Sequence, residues 1–468
     1  MTDDLCFTPA TELAQSIRSK ALSPVELIDA VLARIETCEP RINAFAALTA
    51  ERAREGARRA ETALMQGEAD GALFGLPVTI KDLTETAGVP TERGSYAWEG
   101  YVPTVDAPVV TRLAEAGAIS LGKTTISEFA WTGVSWSPPT GITSNPWKDG
   151  YNAGASSAGA AAAAAAGYGP LHQGSDGAGS IRMPSHFCGT FGIKPTYGRV
   201  PNWPVPNNDQ ISHVGPMTRT VADAALMLKA MAGPHQWDHT SLEAEPADYP
   251  ARLEDGITGL KVAFSPDLGH ARVDPEVAAL VQSAAEAFQS LGCTVESPTV
   301  PFGPDGPEIV RVTWPMQLNA AYRHYFDDYE DRMDPGLVAC IRSVDGMTGA
   351  DYLKMRARKL AYVEAVHRFF EEWDLLLTPA VSVAAFPADR LLPEHWPSHP
   401  WDWIVWAEFS YPFNFSGNPA ASVPCGFTDA GLPVGLQIVG KRFAELTVLQ
   451  ASRAFEQMRP WADRLPPL

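Results

Sequence analysis

The chain has 468 residues, 45% hydrophobic and 19% charged, a mixture that supports a large core and excludes disorder of the whole chain. Its 55 acidic residues outnumber 36 lysines and arginines, for a formal net charge of −19, which disfavours a polyanion such as nucleic acid as partner. The six cysteines, at 6, 38, 188, 293, 340 and 425, form no CxxC pair, so reduced, mostly buried thiols are expected. Two aspartates follow Met1 where a signal peptide wants positive charge, and a cytoplasmic location is expected.

In chain order, Ser23, Pro24 and Glu26 spell a capping box that opens a helix with Leu27, Val31 and Ile35 on one face. A second helix is predicted over residues 41–66, rich in alanine, arginine and glutamate, so residues 1–70 read as an N-terminal helical layer. Leu76, Val78 and Ile80 then form a short apolar strand that ends at Lys81-Asp82. A helix over 107–116 and a strand over 118–121 follow, and α/β alternation begins. The small-residue stretch 153–169 carries too little transfer energy to span a membrane.

Further helices are predicted over 220–232, from Asp274-Pro275 onward, and over 445–456. Short strands are predicted over 261–264, 294–295, 375–377 and 436–439. A mixed sheet with helices on both faces accommodates this order. Residues 301–412, which hold Trp373, Trp396, Trp401, Trp403 and Trp406, read as an elaboration around a ligand cleft, although such aromatics also serve as packing.

Three candidates for chemistry stand out: Lys81 after a buried strand, Ser156-Ser157 within GASSAG, and Ser180 within DGAGS. A serine nucleophile needs a base for its proton and donors aimed at the oxyanion that develops on the attacked carbonyl. Gly177, Ala178 and Gly179 leave the backbone N–H groups before Ser180 open to a substrate. A lysine serves as base when burial makes its neutral form reachable, and a second serine can relay the proton. GASSAG does not match the GxSxG elbow, and His172 and His186 flank Ser180 as alternative bases. No HExxH, GxGxxG or GxxxxGK[ST] is present, so neither metal nor nucleotide cofactor is expected.

GLPVTIKD (75–82), GKTTISEFA (122–130), GASSAG (154–159) and SDGAGSIRMPSHFCGTFGIKPTYGRV (175–200) together resemble the amidase signature family. The resemblance continues through GPMTRTVADAALML from Gly215, FNFSGNPAASVPCGF (413–427) and GLPVGLQIVG (431–440), with 301–410 least informative. It implies a single amidase domain over 1–468, an α/β/α sandwich on a large mixed twisted sheet, with 71–232 as catalytic core and 301–412 shaping the substrate pocket. It also implies Ser180 as nucleophile, Ser156 as the bridging serine after a cis peptide bond, and Lys81 as general base. The backbone N–H groups of Gly177, Ala178, Gly179 and Ser180 would form the oxyanion hole, with Thr124, Ser157, Asp176 and Arg182 in support. Alanines at 155, 158 and 178 depart from the glycine-rich pattern without touching the triad.

The family includes the glutamine-hydrolysing subunit of a tRNA-dependent amidotransferase. That subunit usually has an acidic residue where Ala407 precedes Asn414, and its carboxamide-recognising arginine segment is not recognisable after residue 340. The expected activity is therefore stand-alone hydrolysis of a small apolar or aryl amide, extending to esters or carbamates (urethanase activity). A catalytically silent binding subunit is the alternative of another class. A small molecule is the expected partner, with neither nucleic acid nor membrane; any self-assembly is expected to be a homodimer.

Overall fold

The computed structural model describes residues 2–244 and 247–468. The Ser23 box forms as read: its hydroxyl accepts from Val25 N–H, Glu26 accepts from Ser23 N–H, and helix Pro24–Ile42 buries Leu27, Val31 and Ile35. The helix predicted over 41–66 is instead interrupted. Asn43 takes a left-handed conformation (φ 55°) that ends the first helix, and a second runs over Ala50–Gln66. Between them Phe45–Leu48 is an edge strand, its helix-tolerant residues overruled by pairing to the neighbouring strand.

Eleven strands form one sheet: β1 Phe45–Leu48, β2 Pro77–Lys81, β3 Ile119–Thr124, β4 Leu171–Asp176, β5 Phe191–Lys194, β6 His213–Thr218, β7 Lys261–Phe264, β8 Thr294–Glu296, β9 Leu375–Pro379, β10 Ala420–Phe427 and β11 Pro433–Gly440. Their spatial order is β1-β3-β2-β4-β6-β5-β10-β11-β9-β7-β8. β3, β2 and β4 run parallel, as do β9, β7 and β8, while the pairings between β4 and β9 are antiparallel. Helices cover the sheet, giving an α/β/α architecture, and β2, β4, β5, β6, β9 and β11 are buried along their whole length.

Helix Ala158–Ala166 is buried at every residue and packs on β4 and β6. Its small side chains permit an approach that a Cβ at Gly159 would forbid, since it would stand 2.1 Å from the Ala44 carbonyl oxygen. A second core, rich in aromatics, gathers most of 301–412 around helices Asp305–Tyr322 and Gly349–Glu372, together with Phe129, Trp131, Met183 and Phe187. All six cysteines are free and buried, and among the described residues no helix is long and apolar enough to cross a membrane.

Candidate active site

Lys81 is the last residue of β2, held where its N–H donates to Gln173 Oε1 on β4 (3.0 Å). Its side chain is fully buried; Nζ lies 2.8 Å from Ser156 Oγ, 3.0 Å from Ser175 Oγ and 3.3 Å from the Ser175 carbonyl oxygen. Burial lowers the Lys81 ammonium from its ordinary value to about 7, against the opposing pull of the Asp176 charge. A neutral amine is thus accessible near neutral pH in contact with a hydroxyl.

The Ala155–Ser156 peptide bond is cis. The turn before it needs Gly154 (φ 76°), because a Cβ there would stand 2.4 Å from Pro184 Cα. Ala155 N–H donates to the Gly133 carbonyl (2.9 Å), fixing the segment from its other side. Ser157 joins β4 to the loop that follows it: its Oγ donates to the Ser175 carbonyl (3.1 Å) and accepts from Ser175 N–H (3.2 Å), while its N–H donates to the Ser180 carbonyl (3.3 Å).

Ser180 ends the loop leaving β4, and the carboxylate of Asp176 folds that loop around itself. Oδ1 accepts from Gly179 N–H (2.7 Å) and Oδ2 from Ile181 N–H (3.1 Å), while Arg182 closes the clasp through Nε (3.0 Å) and Nη2 (2.8 Å). Burial alone would raise the Asp176 carboxyl, but the Arg182 guanidinium, Lys194 and Asn414 hold it well below the usual carboxylate range. Arg182 also donates to the Ser410 carbonyl (3.0 Å) and Gln437 Oε1 (2.8 Å), and Asn414 Nδ2 donates to Asp176 Oδ1 (2.8 Å). Gly179 (φ 113°) is the one residue type that fits under Ser410, whose Oγ a Cβ would meet at 2.4 Å.

The clasp engages one of the N–H groups expected in the oxyanion hole. The Gly179 N–H donates to Asp176, while those of Gly177, Ala178 and Ser180 have no acceptor among the described residues. Thr124 lies beside Lys81 in the β2–β3 ladder, and its hydroxyl turns to the Ile80 carbonyl (3.5 Å), away from the serines. His172 is taken by Thr79 Oγ1 and the Gly169 carbonyl, and His186 by the Val383 carbonyl and Gly435 N–H; burial lowers both rings to about 4. Neither has an imidazole nitrogen free to serve as base.

Ser156, Ser175, Gly177 and Ser180 open onto a cavity of about 310 Å³ walled by Phe129, Trp203, Trp314 and Tyr322. The tryptophans expected around the cleft do something else. Trp396, Trp401, Trp403 and Trp406 are buried in the aromatic core, and the rings of Trp403 and Trp406 lie against Gly133, where a Cβ would be 3.2 and 2.5 Å from them. They therefore back the carbonyl that holds Ala155. From 301–412 only the stretch from Trp314 to Tyr322 reaches the cavity, and the loop 202–208, not singled out in the sequence, supplies the facing wall.

Two contacts of Lys81 were also missed, Gln173 and Ser175. They stand two residues apart on β4, so its period-two alternation groups them; Gln173 accepts from the Lys81 backbone N–H and Ser175 Oγ from Nζ. Among the described residues no group of three or more His, Cys, Asp or Glu is placed to hold a metal ion.

The family model described as Amidase matches residues 26–449. An acylamidase of Rhodococcus erythropolis is 37% identical over 484 residues, covering 99% of this chain and 98% of its own. The A-type subunit of the glutamyl-tRNA(Gln) amidotransferase of Moorella thermoacetica is 35% identical over 489 residues, covering 99% of both. Among solved structures, a bacterial aryl acylamidase of the amidase signature family superposes with a TM-score of 0.91 at 29% identity, covering 99% of both chains. Fold, motifs and site geometry agree: the chain belongs to the amidase signature family and is an enzyme that hydrolyses carbon–nitrogen bonds.

Proposed function

We propose that the enzyme hydrolyses a small apolar or aryl amide through an acyl-enzyme on Ser180, with Ser156 as proton relay and Lys81 as base. The observation that carries this is Lys81 Nζ, buried and 2.8 Å from the Oγ of Ser156, which lines an aromatic-walled cavity together with Ser180. As Ser180 Oγ bonds to the carbonyl carbon, its proton passes to Ser156 and that of Ser156 passes to neutral Lys81. The oxyanion is met by the N–H groups of Gly177, Ala178 and Ser180. When the C–N bond breaks, the relay runs backward and the amine leaves with the proton. Water then repeats the attack on the acyl-enzyme and frees the acid. Asp176, Arg182 and Ser157 hold the loops that carry these groups.

Esters and carbamates form the same tetrahedral oxyanion and are proposed as secondary substrates. The similarity to the amidotransferase makes glutamine the second reading. Against it, the described residues lining the cavity include no carboxylate to receive the α-ammonium of glutamine. The test is product release by the purified chain from glutamine, aliphatic amides, anilides and aryl carbamates, beside Ser180→Ala. Turnover of anilides that disappears in the variant is the expected result; turnover of glutamine alone would sink the reading.

A further inference from the structure

Twelve residues beyond Lys81, Arg93 enters the same cavity. Its place is built from the catalytic strand outward: Asp82, next to Lys81, accepts from the N–H groups of Glu92 (3.1 Å) and Gly94 (3.4 Å), and the Arg93 carbonyl accepts from Phe129 N–H (2.9 Å). The residue is held in a left-handed conformation (φ 55°), uncommon for a side chain of this size. The guanidinium stacks over the Trp98 ring at 3.7 Å, and Nη2 donates to the buried Glu85. These contacts fix the plane of the group but use only part of its donors. Nε is buried without an acceptor, and Nη1 has none among the described residues.

Among the described residues lining the cavity, Arg93 alone carries a formal charge. The rest of the wall is apolar, aromatic, amide or hydroxyl. An arginine held this firmly, with donors unspent, in a pocket otherwise neutral, is suited to an oxygen acceptor on the bound molecule.

Resting on the hydrolase reading above, we propose that Arg93 is a specificity-determining residue: it binds an oxygen acceptor, neutral or carboxylate, on the part of the amide substrate remote from the scissile bond. The substrate class is thereby an apolar or aryl amide with an acceptor at its far end. Ser180 and Lys81 act on the carbonyl and Arg93 sets which amides are held there. Glu85 neutralises the guanidinium's charge within the protein, so that an uncharged acceptor is also accommodated.

The test compares anilides with a para-acetyl, para-carboxylate or para-trifluoromethyl group, in one series on the acyl ring and in another on the amine ring. Acetyl and trifluoromethyl withdraw electrons to a similar degree, so that pair isolates acceptor strength, which trifluoromethyl lacks; the carboxylate, nearly neutral electronically, adds a charged acceptor. In one series the acetyl and carboxylate substrates are expected to exceed the trifluoromethyl one by about tenfold in kcat/KM, expressed in KM, as one hydrogen bond to a charged group provides. Arg93→Met should erase that preference, bringing the substrates of that series to equal KM; Arg93→Lys should retain part of it. If Arg93→Met does not fold, Arg93→Lys decides: a preference undiminished in that variant assigns it to the amide donors Asn202, Asn207, Asn208 and Gln317 and overturns the role of Arg93. Equal kcat/KM across the three groups in both series, with turnover intact, overturns the role of Arg93 and leaves the hydrolase reading standing. No turnover of any of the six overturns both.

Discussion

In residues 152–200 the buried positions are mostly alanine, glycine and serine, and the groups that meet are hydroxyls, N–H groups and carbonyls. In residues 301–412 the buried positions are largely aromatic and aliphatic, and among the groups that meet are ring faces and edges, as between Trp314 and Trp403 or Phe386 and Trp406. The first region cannot hold itself in place by apolar area, since alanine and glycine bury little of it. The second supplies that area and presses it, through Trp403 and Trp406, against the Gly133 carbonyl that Ala155 leans on. Small residues let the polar groups of a relay touch, and large ones behind them keep that contact from opening.

The comparison breaks most sharply at Ser180. Replacing it with alanine should lower kcat by about 10⁴-fold or more, as loss of the nucleophile does in other serine hydrolases, with the melting temperature nearly unchanged. Lys81→Met should cost about 10³-fold in kcat, within the range for a positioned base. The wild-type pH profile checks the same residue with a defined sign. Because the neutral amine is the active form and burial brings its titration to about 7, kcat/KM should fall as pH drops below 7, and this limb should be absent from residual Lys81→Met activity.

On the aromatic side the expected effect is on stability. Trp406→Ala should destabilise the fold by about 3–5 kcal/mol, read by chemical denaturation, while the KM of the folded fraction stays within twofold. A large change in KM at constant stability would instead return Trp406 to the substrate pocket. Trp314→Leu, where the aromatic region does reach the cavity, should give the smallest effect, a rise of about tenfold in the KM for anilides with kcat nearly unchanged.

Much of this division was legible in the sequence, though unevenly. The resemblance carried by the motifs around 81, 156 and 180 singled out Lys81, Ser156 and Ser180, and in the structure Lys81 contacts Ser156, which lines the same cavity as Ser180. Local patterns placed β2, β3 and the predicted helices other than that over 41–66 within a few residues. The edge strand Phe45–Leu48 was hidden because four residues between two helix-forming runs carry no alternation of their own, and its pairing partner lies 74 or more residues away. The role of the tryptophans was hidden for another reason: aromatic density is the same whether rings face a ligand or a glycine. The engagement of Gly179 with Asp176 was equally invisible, since glycine in a loop reads as an open donor until an acceptor is placed beside it.

The clasp around Asp176 has a consequence for how the enzyme comes into being. Asn414, which bonds to Asp176 across 238 positions of sequence, and Gln437, which Arg182 reaches across 255, are synthesised long after the residues they hold. A ribosome-bound chain that already carries Lys81, Ser156 and Ser180 still lacks the partners that order the nucleophile's loop. Contacts of such separation form late because a long loop must close before they are rewarded. Activity should therefore emerge only after Asn414 and Gln437 have left the ribosome, in a single step, and the growing polypeptide is spared a reactive serine before it has a finished pocket around it.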